Sequence, residues 1–481
     1  MSSIYELPRS TPEKQGVPSR AVLAFLEEAE RIRKEDMSQD FHSFMLLRHG
    51  YVIAEGWWEP YTRNMPHMLF SLSKSFTSTA IGFAVQEGLL TVEDKVVSYF
   101  REECPEPGEK LAAMRVKDLL SMSTGHVEDT TSYMVERSDG DWVRGFLEVP
   151  VEKEPGTYFL YNTGATYILS VILQKLTGMK LIDYLQPRLF KPLDIEGAVW
   201  DCCPKGYNTG GFGLRVKTED IAKFGQFYLN KGKSGEEQLL SEEWVKEATA
   251  AHSDNSRNDD KDWGQGYGYQ FWRCRHQAFR GDGAFGQYCV VMPEQDMVLA
   301  ITGGMRDMQK PLEILWEKLL PEAGAHALPE SSDYEELKDK LANLKLLFPK
   351  GSPASGMEET IAGLRYELEE NSFHFKRISF EFREGVLSLG LDTAQSQHSY
   401  SVGIERWTSD EIFFQGNMEP AAFTGIWEKE DTLLIQCRLT STPFGLQLRI
   451  HFTEQEITLE LKTNVGFSEP QPEQVKGVRL G

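Results

Sequence analysis

The chain has 481 residues, 40% hydrophobic and 26% charged, which is enough apolar material for at least one large core and long enough to suggest two or three domains. Lys and Arg number 51 against 73 Asp and Glu, a formal net charge of -22. So acidic a surface repels phosphate backbones and anionic lipid, which excludes nucleic acid and membranes as expected partners.

No apolar run of about 18 residues, the length a bilayer span needs, occurs in the chain. The N-terminal "MSSIYELPRSTPEKQG" lacks the basic and apolar regions of a secretory signal, so a cytoplasmic location is expected. Six scattered cysteines form no C-x-x-C pair and the ten histidines form no H-E-x-x-H. No metal and no cofactor are therefore expected. The vicinal pair Cys202-Cys203 could be redox active, but two buried thiols are the commoner reading.

In chain order, "FHSFMLLRHGYVIAEGWWEPY" (41–61) predicts two strands around a His-Gly turn. "SKSFTSTAIGFAVQEGLL" (73–90) predicts a helix stopping near Gly88, and "VKDLLSMSTGH" (116–126) a short helix entering a loop. "GATYILSVILQKLTG" (164–178) is an amphipathic helix with a Gly C-cap. "TEDIAKFGQFYLNKG" (218–232) opens on a capping-type signature and also ends at Gly. "QYCVVMPEQDMVLAITGG" (287–304) reads as two strands around a Pro-Glu-Gln-Asp turn, and "PLEILWEKLLPEA" (311–323) as a last helix.

The pattern changes after residue 326. "ALPESSDYEELKDKLANLKLLFPKGSP" (327–353) is a polar linker with one short helix. Period-2 alternation follows in "ISFEF", "VLSLGL", "LQLRIHF" and "ITLEL", which predicts an all-β domain, either a small barrel or a sandwich. The expected division is 1–330, a linker over 331–354, and 355–481.

"LFSLSKSFTS" (69–78) places Ser71 and Lys74 in an S-x-x-K spacing. Residues i and i+3 share a helix face, so the amine can reach the hydroxyl. Serine is a weak nucleophile until a base takes its proton, and lysine serves as that base only when its pKa is lowered. The four residues alone favour a helix N-cap followed by a surface lysine, so the case rests on their surroundings. "GDGAFG" (281–286) matches G-x-G-x-x-G, but the strand-like "QYCVVMP" behind it excludes a dinucleotide site. No G-x-S-x-G elbow occurs, which excludes a standard α/β-hydrolase.

The wider segment "EGWWEPYTRNMPHMLFSLSKSFTSTAIGFAVQEGLLTVEDKVVSYF" resembles the nucleophile region of serine hydrolases related to class C β-lactamases and penicillin-binding proteins. That family also holds D-alanyl-D-alanine carboxypeptidases, D-aminopeptidases, esterases and amidases acting on short nylon oligomers. Further segments follow in the family's order: "VKDLLSMSTGH", "FLYNTGATYILSVILQKLTG", "LFKPLDI" (with Asp194 where Gly is usual), "GGFGLRVKTEDIAKFGQFYLNKG" and "FRGDGAFGQYCVVMPEQDMVL". The resemblance covers about residues 10–320. It implies an α+β fold, with a central antiparallel sheet flanked by helices plus an all-helical region. The C-terminal segment resembles the small β-barrel appended to some members.

Carried over by position, the resemblance implies Ser71 as nucleophile, Lys74 as its base and Tyr161 as the proton shuttle to the leaving group. Ser73 is expected to be structural. Thr163 stands where the family has Asn, and Asn162 lies one residue early, so either side chain could bind substrate. The third motif, usually Lys-Thr-Gly or His-x-Gly, reads Gly281-Asp282-Gly283. Asp282 and Gly283 are placed at the substrate, and the missing cation argues against a β-lactam or a peptidoglycan D-alanyl end. The N–H groups of Ser71 and Ala284 would form the oxyanion hole, with Gln287 as a fallback donor. The expected partner is a small-molecule or short-peptide ester or amide, with a homo-oligomer left open. A non-catalytic ligand- or peptide-binding protein on the same fold is the alternative, and a β-lactamase or D-alanyl carboxypeptidase a further one.

Overall fold

The structure is a computed structural model and describes residues 7–258, 261–348, 350–414 and 417–480. The first six residues of the N-terminal segment therefore lie outside the described residues.

Alternation along Phe41–Leu47 divides one strand between two cores. Gln39–Arg48 sends Phe44 and Leu46 to one face and Met45 and Leu47 to the other. His49 and Gly50 turn the chain with φ of 50° and 78°, and Tyr51–Trp57 returns antiparallel. These two strands join Met297–Met305, Gln287–Met292, Phe279–Gly283 and Trp272–Arg273 in a six-stranded antiparallel sheet. Its chain order across the sheet is Tyr51–Trp57, Gln39–Arg48, Met297–Met305, Gln287–Met292, Phe279–Gly283, Trp272–Arg273.

The helix Ser19–Glu35 covers one face, its apolar stripe of Val22, Phe25, Leu26, Ala29 and Ile32 packed on Phe44, Leu46 and Leu299. Helices Ser73–Gln86, Thr163–Thr177 and Thr218–Leu229 fill the other face and the adjoining helical region. Thr163–Thr177 ends at Gly178 with φ 69°, the left-handed stop expected of that glycine. The cap of Thr218–Leu229 is at Lys217, whose N–H donates to the Asp220 carboxylate at 3.0 Å.

The helix Asp333–Ala342 buries Leu337 in the same core as Ser19–Glu35. Beyond it, nine strands close into a barrel. The ring closes where Gln397–Ile404 meets Asn417–Lys429 in parallel, and Thr408–Phe414 pairs with the latter outside the ring. Ile378, Phe380, Leu387, Leu389, Leu448, Ile450, Leu459 and Leu461 fill its interior. The strand Thr432–Leu439 is buried at every residue, because its outward face meets the first domain. There Arg438 reaches Asp40 at 2.9 Å, and Arg33 holds the same carboxylate at 2.5 Å, all three side chains almost fully buried. Among the described residues no helix is long and apolar enough to cross a membrane.

Candidate active site

The turn carrying Ser71 is held from two directions. The Met68 N–H donates to the Ser441 carbonyl of the barrel at 2.8 Å, and the Leu69 N–H to the Leu214 carbonyl at 2.8 Å. Phe70 then takes a left-handed φ of 47°, which a non-glycine residue adopts only under strain that its surroundings impose. A single 3-10 turn, Phe70–Leu72, leads into the helix Ser73–Gln86. That helix is buried almost throughout, and its hydroxyls find partners except that of Ser78. Ser73 Oγ accepts from the Leu214 N–H at 3.2 Å, Ser75 donates to the Gln270 carbonyl and Thr77 to the Gly210 carbonyl, both at 2.8 Å. The small polar residues of "SKSFTSTA" thus let a helix cross the interior with most of its polar atoms paired. Of the four serines in 69–78, Ser71 alone stands half-exposed, at the helix mouth.

Lys74 is 1% exposed and lies one turn after Ser71. Its Nζ donates to Ser71 Oγ at 3.0 Å, Thr163 Oγ1 at 3.2 Å and the Gly211 carbonyl at 2.8 Å. All three acceptors are neutral. Burial pushes the amine down to about 7, opposed by the negative charges of Asp129 and Asp282.

Tyr161 is half-buried, with its ring under the Lys74 ammonium position at 4.9 Å and stacked on Trp272 at 5.3 Å. Burial, then the charge on Asp282, pushes its phenol above the ordinary tyrosine value, while hydrogen bonding with Ser71 pulls the other way. Thr163, at the N-terminus of Thr163–Thr177, is brought to the site through its bond from Lys74. Asn162 is not. It caps that helix, accepting from the Gly164 N–H at 3.1 Å and from Thr130 Oγ1 at 2.8 Å, and is wholly buried. Such a cap stabilises by about 1 kcal/mol and leaves the amide no freedom to meet substrate.

The strand Phe279–Gly283 lies directly on the Ser71 turn. A Cβ on Gly283 would fall 1.9 Å from the Leu69 carbonyl oxygen, and one on Gly281 would fall 2.5 Å from Ser75 Oγ. Glycine at both positions is what lets the two backbones approach. Asp282 is buried and paired with Arg280 at 2.7 Å, and Trp272 also hydrogen bonds to it. Its burial raises the carboxyl pKa, which Arg280 and then Lys74 hold back. Arg280 itself is wholly buried. It donates to the Asp262 carbonyl at 2.8 Å and to Cys274 Sγ at 3.0 Å, and lies over Trp263 at 4.3 Å. The strand therefore has a cation, but one that is wholly buried and paired with the neighbouring Asp282 carboxylate.

Ala284 opens the tight turn after this strand, with Phe285 and Gly286 left-handed at φ 66° and 90°. The Gln287 amide is fully committed. It donates to the Ala284 and Gly303 carbonyls at 3.0 and 2.9 Å and accepts from the Gly303 N–H at 3.2 Å. Gln287 is thus a brace behind the turn and not a donor into the site.

Three contributors were not anticipated from the residues: Asp129, whose carboxylate accepts from the Thr163 N–H at 3.2 Å, the Gly211 carbonyl on Lys74, and Arg280. Arg280 immediately precedes the Gly-Asp-Gly motif, and an Arg-x-Asp spacing on one strand face was a readable signal. A backbone carbonyl leaves no such trace.

The beta-lactamase family profile matches residues 41–304, more than half of the chain. A 6-aminohexanoate-dimer hydrolase of Paenarthrobacter ureafaciens is 24% identical over 311 residues, covering 60% of this chain and 78% of that protein. A putative D-alanyl-D-alanine carboxypeptidase of Escherichia coli K12 is 23% identical over 246 residues, covering 39% of this chain and only 57% of the relative. A solved structure of SurE with D-Leu covers 88% of this chain and 99% of its own, at 16% identity and a TM-score of 0.50.

Proposed function

The chain belongs to the beta-lactamase family and is a serine hydrolase, and from that premise we propose that Ser71 cleaves a small-molecule or short-peptide ester or amide through an acyl-enzyme. The observation that carries this is the 3.0 Å contact between Ser71 Oγ and a buried Lys74 amine brought to about 7. Neutral Lys74 takes the Ser71 proton as Oγ bonds to the carbonyl carbon. The N–H groups of Ser71 and Ala284 hold the resulting oxyanion. Tyr161, kept as a neutral phenol, passes its proton to the departing alcohol or amine and is reprotonated from the Lys74 ammonium. Water then attacks the acyl ester, its proton returning along the same groups, and Ser71 is freed. The opposite displacement of the two pKa values, lysine down and tyrosine up, makes lysine the base and tyrosine the acid.

The substrate's acyl side is uncharged on this reading. Arg280 is sequestered, and the charge nearest the site on that strand is the carboxylate of Asp282. Thr163 takes the place of the family amide as a donor to the substrate carbonyl. Residues 1–330 form the hydrolase unit, 331–354 the connector and 355–481 the barrel. The test is turnover of p-nitrophenyl esters and p-nitroanilides of short neutral acids. Wild type should release chromophore and Ser71→Ala should not. Equal rates for the two proteins would refute the assignment.

A further inference from the structure

Two loops at one end of the barrel reach the Ser71 turn. One is 440–444, whose Ser441 carbonyl accepts the Met68 N–H at 2.8 Å. The other begins at Asn464, which ties the two loops together. Its Oδ1 accepts from the Gly445 N–H at 2.6 Å and its Nδ2 donates to the Pro443 carbonyl at 2.9 Å. Each loop presents a phenylalanine. Phe444 lies 6.0 Å from Phe70 and 5.6 Å from Phe285, and Phe467 lies 5.9 and 5.0 Å from the same two rings. Phe70 and Phe285 meet edge to face at 5.5 Å.

The positions of these rings give them a use. Phe70 immediately precedes Ser71 and Phe285 immediately follows Ala284, so they adjoin the two N–H groups assigned to the oxyanion. Phe467 is 81% exposed. A phenylalanine so open to water, yet in contact with the two rings that flank Ser71 and Ala284 in the chain, leaves apolar surface uncovered beside the Ser71 turn. Behind Phe444, Phe414 at 6.4 Å continues the apolar surface into a barrel cavity of about 760 Å³, lined there by Phe375, Tyr400 and Leu446. The loops are fixed to each other and to the Ser71 turn, so the surface is preformed and little ordering is needed on binding.

We propose that Phe444 and Phe467 of the barrel complete, with Phe70 and Phe285, an apolar acyl subsite that selects esters or amides of extended aliphatic or aromatic acids. This rests on Ser71 being the nucleophile. It gives the barrel a direct part in specificity and supplies by apolar contact the discrimination that an accessible third-motif cation would otherwise give. Each methylene buried there should raise kcat/KM about two- to fourfold until the surface is covered.

The experiment is kcat/KM for p-nitrophenyl acetate, butyrate, hexanoate and octanoate with wild type, Phe467→Ala and Phe444→Leu, alongside fluorophosphonate labelling of each. The exposed position of Phe467 makes its alanine variant safe for folding, and the leucine at 444 keeps an apolar core contact. The expected result is a wild-type rate that climbs with chain length and an octanoate-to-acetate ratio that falls at least about tenfold in both variants. A flat wild-type series, or variants that lose all four esters in proportion, with Ser71 still labelled, would overturn the subsite alone. Absence of labelling at Ser71 in the wild type would overturn the nucleophile assignment and this inference with it.

Discussion

Ser71 and Lys74 are joined by a 3.0 Å hydrogen bond in which the donor amine is almost entirely shielded from water and, among the described residues, pairs with no carboxylate. A lysine paired with an acid would stay charged. This one is bonded instead to two hydroxyls and a carbonyl, so burial decides its charge, and the group titrates near neutrality.

The first expected consequence is a pH profile. Lys74 acts as a base only when unprotonated, so kcat/KM should be low in acid and rise through about pH 7 with the slope of one group. Lys74→Met should lose at least about a hundredfold and lose that limb as well. A wild-type limb near pH 4 or near pH 10 would mean that some other group sets the rate.

Asp282 tunes that limb. Its charge raises the Lys74 pKa, so Asp282→Asn should lower it and move the acid limb toward lower pH. Arg280 then keeps its carbonyl partner but loses its buried counter-charge, and removing one partner of a buried pair costs on the order of 3–5 kcal/mol. The variant should therefore melt earlier while working at more acidic pH. An unchanged profile would show that Asp282 does not reach Lys74 electrostatically.

Gly283→Ala should separate the strand from the Ser71 turn. Its methyl would meet the Leu69 carbonyl oxygen at 1.9 Å, backbone against backbone, with no flexible side chain to yield. A displacement of about 1 Å at the site costs about a hundredfold in rate. Circular dichroism should stay close to wild type while kcat/KM falls by that order.

Acid should loosen the junction between the two domains. His67 Nδ1 donates to the Met68 carbonyl at 3.1 Å, which leaves Nε2 to accept from His42 Nδ1 at 3.0 Å. Both rings are buried and neutral. Burial depresses His67 to about 4 and, with His67 and Arg438 nearby, His42 well below its ordinary value. The unfolded chain takes up these protons near its own histidine pKa of about 6.5, before the folded one does. Stability is thus full above about pH 6.5 and is lost as pH falls from there toward 4. Thermal melts at pH 7.5, 6 and 5 should show the decline, and His42→Gln should reduce it.

Much of the first domain was legible because its segments carry strong periodicity and end signals. The strands around His49-Gly50 and the Gly178-capped helix fall where the sequence places them. Ser71, Lys74 and Thr163 meet because an i, i+3 spacing and a helix N-terminus are local facts. Asn162 shows the limit. It occupies the right stretch of chain but caps a helix, and only the backbone conformation decides between cap and ligand. Gln287 likewise became a brace because its partners, Ala284 and Gly303, are set by sheet pairing. In the barrel, Val386–Thr393 alternates and was readable; Thr432–Leu439 also alternates, with Leu433, Ile435, Cys437 and Leu439 inward, but the burial of its polar positions, Gln436 and Arg438 among them, is set by packing that the sequence does not show. The aromatic cluster joining residues 70, 285, 444 and 467 comes from four distant segments and has no sequence signature.

The central claim is that Ser71 is an activated nucleophile, and covalent labelling tests it most directly. Wild type and Ser71→Ala would be incubated with a fluorophosphonate and their intact masses compared. One adduct on wild type and none on Ser71→Ala is the expected result. A folded wild type that takes no adduct, or a Ser71→Ala protein that labels equally, would contradict the account.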